Sequence, residues 1–210
     1  MHDDGFKTTV LLPESTSTWS RRDFIKSVIA SSVTVSGLSY FGAGCAQPLP
    51  AQSGGVERLL SLTVNGQVRR VDVAPHETLT QTLRYKLGLT GTKVGCDRAE
   101  CGACTVLIDE VPHYACSTLT HRVRESDITT IEGVAEPDGT LHPVQQAFID
   151  ELGPQCGFCT PGQVMTAVAL LRTNPSPTRE EARAALCGNL CRCGAYDHYL
   201  NGVMRAAREA

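Results

Sequence analysis

Residues 93–106 read Lys93-Val94-Gly95-Cys96-Asp97-Arg98-Ala99-Glu100-Cys101-Gly102-Ala103-Cys104-Thr105-Val106. Cys116 completes the set as C-x4-C-x2-C-x11-C. Three cysteines this close in sequence pair poorly with one another, because a disulfide needs a particular Cα separation. A five-residue step followed by a three-residue step instead wraps one tight loop around a small object. A second set, Cys156, Cys159, Cys191 and Cys193, reads C-x2-C-x31-C-x-C. Four thiolates are what one [2Fe–2S] cluster requires. Two full sets predict two clusters and one-electron chemistry.

Ten cysteines could serve other ends. An exported chain could be a disulfide scaffold, and paired C-x2-C motifs could hold zinc. The first loop argues against both, since its C-x4-C-x2-C…C spacing is that of plant-type [2Fe–2S] sites. Histidine ligation of the Rieske kind would need His in place of two cysteines, and neither set lacks one. His113 and His121 are therefore read as surface or packing residues.

The chain has 210 residues, 41% apolar and 5% aromatic, with a formal net charge of −3. Those values suit one or two small compact domains. No basic stripe points to nucleic acid. No G-x-G-x-x-G and no phosphate loop is present, so this chain is not expected to bind a nucleotide or flavin itself.

The first 46 residues read as a disordered N-terminus and an export signal. Residues 1–19 are polar and rich in Ser and Thr. Ser20-Arg21-Arg22-Asp23-Phe24-Ile25-Lys26 resembles the twin-arginine motif, and a mildly apolar stretch over 28–41 follows. That stretch is short for a bilayer span and suits the apolar region of a cleaved signal. Gly44-Cys45-Ala46 offers a cleavage site near Ala46. Gly42-Ala43-Gly44-Cys45 also reads as a degenerate lipobox, so a lipid on Cys45 stays open. The twin-arginine route carries folded proteins, which would let clusters be inserted in a reducing cytosol before exposure to an oxidising periplasm. A periplasmic location is therefore expected, and the membrane is met only transiently during export unless Cys45 is lipidated.

The remaining pattern is α+β. Residues 56–133 predict a β-grasp, ferredoxin-like domain: alternation over Leu60–Val64, a hairpin turn at Asn65-Gly66, a helix over Glu77–Leu87 stopped by Gly88, the cluster loop, strands at Thr105–Ile108 and Ile128–Ile131, and a turn at Asp109-Glu110. Residues 134–141 read as a linker. Residues 142–210 predict an all-α, four-helix [2Fe–2S] domain. Its helices are Pro143–Leu152, one opened by Thr160 as N-cap with Gln163 at N3 and closed near Asn174, one opened by the Thr178/Glu181 capping box and running to about Leu186, and Ala195–Ala207, with Tyr196, Tyr199, Leu200 and Val203 on one face. Each cysteine pair of the second set then precedes a helix, where free N–H groups and the dipole favour a negatively charged cluster.

Three stretches carry a resemblance: Lys93–Val106, Gln155–Gly162 (Q-C-G-F-C-T-P-G) and Gly188–Tyr196 (G-N-L-C-R-C-G-A-Y). They resemble the iron–sulfur small subunit of the xanthine dehydrogenase/aldehyde oxidase family of molybdenum hydroxylases. The ending C-R-C-G-A-Y is similar to that of periplasmic aldehyde oxidoreductase and isoquinoline-type small subunits. The resemblance covers roughly residues 56–207. It implies two [2Fe–2S] clusters, one on Cys96, Cys101, Cys104 and Cys116, the other on Cys156, Cys159, Cys191 and Cys193. It implies a large partner subunit that binds molybdopterin and supplies the catalytic glutamate, so this chain carries no catalytic residue of its own. Aldehydes or N-heterocycles are the substrates of that branch. Electrons would pass singly from the molybdenum centre through the helical-domain cluster and then the ferredoxin-like one, and Gln155 and Cys193 would lie against the pterin. The acceptor stays open among an FAD-binding subunit, a c-type cytochrome with haem, and a quinone. Cys187, four residues before Cys191, departs from the family pattern and is read as a small buried residue. The competing reading is a freestanding two-cluster electron carrier with no catalytic partner.

Overall fold

The structure, a computed structural model, describes residues 20–28 and 58–209. Residues 21–28 form an exposed helix whose first turn is capped by Ser20, the Asp23 N–H donating to Ser20 Oγ at 3.2 Å. This segment belongs to a unit separate from Gly55–Ala210. The apolar stretch, Cys45 and the cleavage site lie outside the described residues. Among the described residues no helix is long and apolar enough to cross a membrane.

The second unit opens with a hairpin, β1 (Leu59–Val64) and β2 (Gln67–Asp72). Asn65 and Gly66 turn the chain with φ of 52° and 71°, the two left-handed residues that match a tight turn to strand twist. β3 (Thr105–Ile108), β4 (Val111–Tyr114) and β5 (Asp127–Thr129) complete a sheet ordered β2-β1-β5-β3-β4. β1 and β5 are parallel and the other pairs antiparallel. The Asp109-Glu110 turn also takes two positive φ values, 48° and 68°.

The expected helix over Glu77–Leu87 is wound differently. Only Leu79–Gln81 is α-helical, and Thr82–Lys86 continues as a π turn closed by Leu87 N–H on Thr82 O at 3.0 Å. Leu79 and Leu83 remain fully buried through the wider turn, while Arg84 donates to the carbonyls of Thr90 and Thr92 at the start of the cluster loop, both at 2.7 Å. Glu77 stands outside the helix and accepts from Thr82 Oγ1 at 2.7 Å and Lys86 Nζ at 2.6 Å. The strand expected over Ile128–Ile131 stops at Thr129, because Thr130 N–H bonds Asn65 Oδ1 at 2.8 Å instead of continuing the ladder; a single 3-10 turn, Ile131–Gly133, follows.

Four helices occupy the C-terminal part: α1 (Pro143–Asp150), α2 (Thr160–Thr173), α3 (Arg179–Leu186) and α4 (Tyr196–Glu209). α1 ends two residues earlier than the sequence suggested, as Leu152 takes φ of 55°. The Thr178/Glu181 box caps α3 as expected. At α2 the expectation is corrected: Cys159 is the N-cap, and the Thr160 hydroxyl is used by Tyr199 Oη at 2.7 Å. Tyr199, Leu200 and Val203 are buried on α4, but Tyr196 is half exposed.

β3 explains why residues 55–210 form one compact unit. Its four residues are all buried, and its two faces serve different cores. Val106 and Ile108 join Leu62, Leu83 and Ile128 beneath the sheet. Leu107 joins Phe148, Met165 and Tyr199 among the helices, where α2 packs on β3. Fully burying a leucine contributes about 1.5–3 kcal/mol, so Leu107 is a substantial tie between the sheet and α2. The resulting layers bring the loop before β3 against the N-terminus of α2.

Candidate iron–sulfur centres

The first loop runs from Thr90 to Cys104. Asp97, Ala99 and Gly102 adopt φ of 53°, 59° and 69°, conformations that turn successive amides toward one point. Glu100 N–H donates to Cys96 Sγ and Ala99 N–H to Cys116 Sγ, each at 3.3 Å. Cys104 opens β3, and Ala115 N–H on Cys104 O at 3.2 Å carries Cys116 alongside it. A side chain at Gly95 would stand 2.9 Å from Cys101 Sγ, so only glycine leaves that sulfur its space. Cys96 and Cys101 are half-buried, Cys104 and Cys116 buried.

The environments of these thiols differ. The Glu100 amide draws Cys96 down to about 7. Burial pushes Cys104 up to about 12, with Cys116 and Cys101 beside it adding to the rise. Cys96 is within hydrogen-bond reach of Cys101, and Cys104 of Cys116. The four sulfurs thus converge as two pairs.

The second set is built on helix ends. Cys159 caps α2, and Cys191 and Cys193 lie in the turn before α4. Cys159 and Cys191 are buried; Cys156 and Cys193 are exposed. Here too there are two pairs, Cys156 with Cys193 and Cys159 with Cys191. The Phe158 amide holds Cys156 below its ordinary value, whereas burial pushes Cys159 up to about 11. Two tyrosines of α4 support the site: Cys159 Sγ is 3.8 Å from Tyr199 Oη, and Cys191 N–H donates to Tyr196 Oη at 3.0 Å. Neither tyrosine was assigned this role from sequence. A Tyr three residues after the last cysteine, and another one turn later, is the signal that was available.

The two sites share a glycine junction. Gly102, Gly162 and Gly188 meet there: a side chain on Gly102 would stand 2.5 Å from Gly188 O and from Asn189 Oδ1, and one on Gly162 would overlap Gly102 O. Leu190 N–H donates to Cys101 O at 2.9 Å and Tyr114 Oη to Gly188 O at 3.3 Å. Asn189 is buried and bonded to Thr166, and its carbonyl accepts from Gln163 Nε2 at 3.1 Å.

The donor chemistry fits iron–sulfur clusters. A [2Fe–2S] cluster takes four thiolates as two per iron, the pairing seen in both sets. His113 is exposed, and His121 is half-buried with Nε2 3.3 Å from Val73 O, so neither joins a site. Gln155 is exposed beside Cys156, whose thiol reaches Cys193. The reading of Cys187 as buried is corrected: it is exposed, at the C-cap of α3.

Two family profiles match this chain, the 2Fe-2S iron-sulfur cluster binding domain over residues 62–128 and the [2Fe-2S] binding domain over residues 130–204. The aldehyde oxidoreductase iron-sulfur-binding subunit PaoA of Escherichia coli is 41% identical over 206 residues, covering 90% of this chain and 89% of that one. The nicotinate dehydrogenase small FeS subunit of Eubacterium barkeri is 47% identical over 137 residues, 65% of this chain and 87% of that one. Among solved structures, quinoline 2-oxidoreductase from Pseudomonas putida matches with a TM-score of 0.70 at 40% identity, over 73% of this chain and 96% of that chain. The aldehyde oxidoreductase of Desulfovibrio desulfuricans matches with a TM-score of 0.70 at 43% identity, over 73% of this chain, but there the chain spans only 17% of the longer polypeptide.

Proposed function

We infer, from the premise that this chain belongs to the iron–sulfur small subunits of the xanthine dehydrogenase/aldehyde oxidase family, that it is the electron-transfer subunit of a periplasmic molybdenum hydroxylase acting on aldehydes or N-heterocycles. Its partner is a large molybdopterin-binding subunit that holds the catalytic site. The observation that carries this reading is the arrangement of eight cysteines as two sets of paired thiols joined by one glycine junction. Cys96, Cys101, Cys104 and Cys116 hold one cluster within residues 56–133. Cys156, Cys159, Cys191 and Cys193 hold the other within residues 142–210, with 134–141 as the linker. When bound, a [2Fe–2S] cluster supplies one-electron storage at a potential tuned by hydrogen bonds to sulfur and by solvent exposure.

The chain's own residues provide that tuning. Ala99 and Glu100 direct amides at sulfur, Tyr196 holds the Cys191 amide, and Leu107 with the α2 core excludes water from Cys159. Cys156 and Cys193 are the exposed cysteines of the second set, and a partner covering them would keep that cluster dry. Gln155 and Cys193 belong to that exposed edge and face the molybdopterin of the partner. Arg21 and Arg22 support export by the twin-arginine route. An FAD-binding subunit or a c-type cytochrome accepts the electrons.

The test is an iron and molybdenum count on the tagged chain, purified gently from its native host with what binds it. About four Fe per Mo with a large second chain supports the reading. Iron without molybdenum or partner favours the freestanding carrier, and no iron overturns both. Export is tested separately: replacing Arg21 and Arg22 with Lys should leave the protein in the cytoplasm, and unchanged export removes the twin-arginine assignment.

A further inference from the structure

Two charged side chains outside both cysteine sets grip the chain shortly before Cys96. Arg84, on the π turn, donates through Nη1 to the carbonyls of Thr90 and Thr92, both at 2.7 Å. Glu132, on the 3-10 turn Ile131–Gly133, takes the amide of the residue between them, with Gly91 N–H donating to Oε1 at 2.7 Å. A cation thus holds carbonyls and an anion holds an amide, each a charge-assisted bond in the sense its charge favours. The approach is close. A side chain on Gly91 would overlap Ile131 Cγ2 and stand 2.8 Å from Glu132 Oε1.

Glu132 is itself held in place. Its second oxygen, Oε2, accepts from Thr130 Oγ1 at 2.6 Å, and Thr130 Oγ1 accepts from Asn65 Nδ2 at 2.9 Å. Thr130 is fully buried. Ile131 packs against the helical core, and its 3-10 turn lies on α2. Glu132 is an exposed residue, yet both carboxylate oxygens are committed to protein donors. Its position is therefore set by the hairpin turn on one side and by the helical core on the other.

We propose that Glu132 is a positioning residue for the first [2Fe–2S] cluster: by holding the Gly91 amide it fixes the path of residues 90–96 and keeps the Cys96 sulfur against the Glu100 amide. This rests on the reading of Cys96, Cys101, Cys104 and Cys116 as that cluster's ligands. Glu100 N–H donates to Cys96 Sγ at 3.3 Å. A hydrogen bond to sulfur favours the reduced, more negative cluster and so raises its potential. Lys93 N–H on Ala103 O at 3.2 Å tethers the path midway, while the Arg84–Glu132 grip fixes where it starts. Without Glu132 the Gly91 amide turns to water, the segment loosens and the bond at Cys96 weakens, which lowers the potential. The carboxylate's charge acts the other way, because a nearby negative charge opposes the incoming electron and its removal alone raises the potential. Positioning and charge therefore predict shifts of opposite sign.

The experiment is a redox titration of the purified holo complex followed by EPR, comparing the parent with Glu132→Ala, Glu132→Gln and Thr130→Val. The signal of the first cluster is the one that Cys101→Ala abolishes. Glu132→Ala removes grip and charge together, and should lower the midpoint potential of that signal and broaden it. Glu132→Gln removes the charge but keeps a carbonyl oxygen for Gly91 N–H, and should restore the parent line shape with a potential at or above the parent's. Thr130→Val frees Oε2 and leaves the charge, and should lower the potential by less than Glu132→Ala; it carries the test if Glu132→Ala yields no complex. The second signal should keep its potential throughout. An equal rise in Glu132→Ala and Glu132→Gln means that charge alone acts, and overturns the proposal. So does a first signal that neither Glu132→Ala nor Thr130→Val lowers, or an equal shift of both signals. A parent complex without two reduced signals fails the cluster reading itself, and the proposal with it; two signals in the parent with no downward shift in the variants fail the positioning role alone.

Discussion

The carbonyl of Cys101, in the first cysteine loop, accepts a hydrogen bond from the amide of Leu190 at 2.9 Å, and Leu190 immediately precedes Cys191 of the second set. The two sites are therefore held by one backbone contact, flanked by glycines that let the strands of chain approach. Gly102 needs its left-handed φ of 69°, and any Cβ there meets Gly188 O and Asn189 Oδ1 at 2.5 Å. The first obstacle is a backbone carbonyl, which cannot swing aside as a side chain can.

Gly102→Ala is accordingly expected to damage both sites at once. The conformational term alone costs about 1–2 kcal/mol for a residue with Cβ, and the overlap adds to it. Purified with its partner, the variant should hold less iron and show both reduced-cluster EPR signals weakened together. Loss of one signal with the other intact would mean that the junction does not couple the sites.

The parts of this architecture that were legible in sequence are those fixed by neighbours in the chain. Asn65-Gly66 declares a hairpin because two adjacent residues accept positive φ, and Thr178 with Glu181 declares a helix start because the cap closes over three residues. The Thr160 cap failed because its hydroxyl is taken by Tyr199, 39 residues away in the chain. The π turn at Thr82–Lys86 was hidden for the same kind of reason: its Arg84 is held by the carbonyls of Thr90 and Thr92, beyond the helix end. Cysteine spacing revealed the two sets. It was silent on Gly102, Gly162 and Tyr196, whose roles exist only once α2 and α4 are docked.

Gly202 sets two effects against each other. In a helix interior Ala is favoured over Gly by about 0.8–1.0 kcal/mol. Yet a Cβ on Gly202 would stand 2.5 Å from Cδ1 of Phe148, a buried ring held edge-on to Tyr199 with centroids 5.0 Å apart. Overpacking of this kind costs about 1–3 kcal/mol, and both rings are buried. Gly202→Ala should therefore lower the denaturant midpoint of the holo chain, and a raised midpoint would show that α1 and α4 can separate cheaply.

His142 gives α1 a pH-dependent start. Its Nδ1 accepts the Val144 amide at 3.2 Å while Gln145 Oε1 accepts the His142 amide at 3.0 Å. Burial lowers the imidazole below its ordinary 6.5, against a smaller upward pull from Glu136. The unfolded chain thus binds the proton more tightly than the folded one, so the cap's contribution is whole above pH 6.5 and is lost as pH falls through the folded value. A lost N-cap is worth about 0.5–2 kcal/mol. Amide exchange at Val144, corrected for its intrinsic pH dependence, should lose protection below pH 6.5. The same plot for His142→Asn, which caps without titrating in this range, should stay flat.

Cys101→Ala separates sulfur chemistry from backbone architecture at the same residue. The substitution removes one thiolate of the first set but keeps the carbonyl that receives Leu190 N–H. Alanine is also compatible with the space that Gly95 leaves open beside Sγ. The second set should therefore assemble normally, because its own cysteines, the capping of α2 by Cys159 and the Tyr196 contact to Cys191 are all unchanged. Two distinguishable reduced [2Fe–2S] EPR signals in the parent complex should become one, with iron falling by about half. Retention of both signals would remove Cys101 from the ligand set. Loss of both would mean that the second site depends on an occupied first loop, and not on the Cys101–Leu190 hydrogen bond alone.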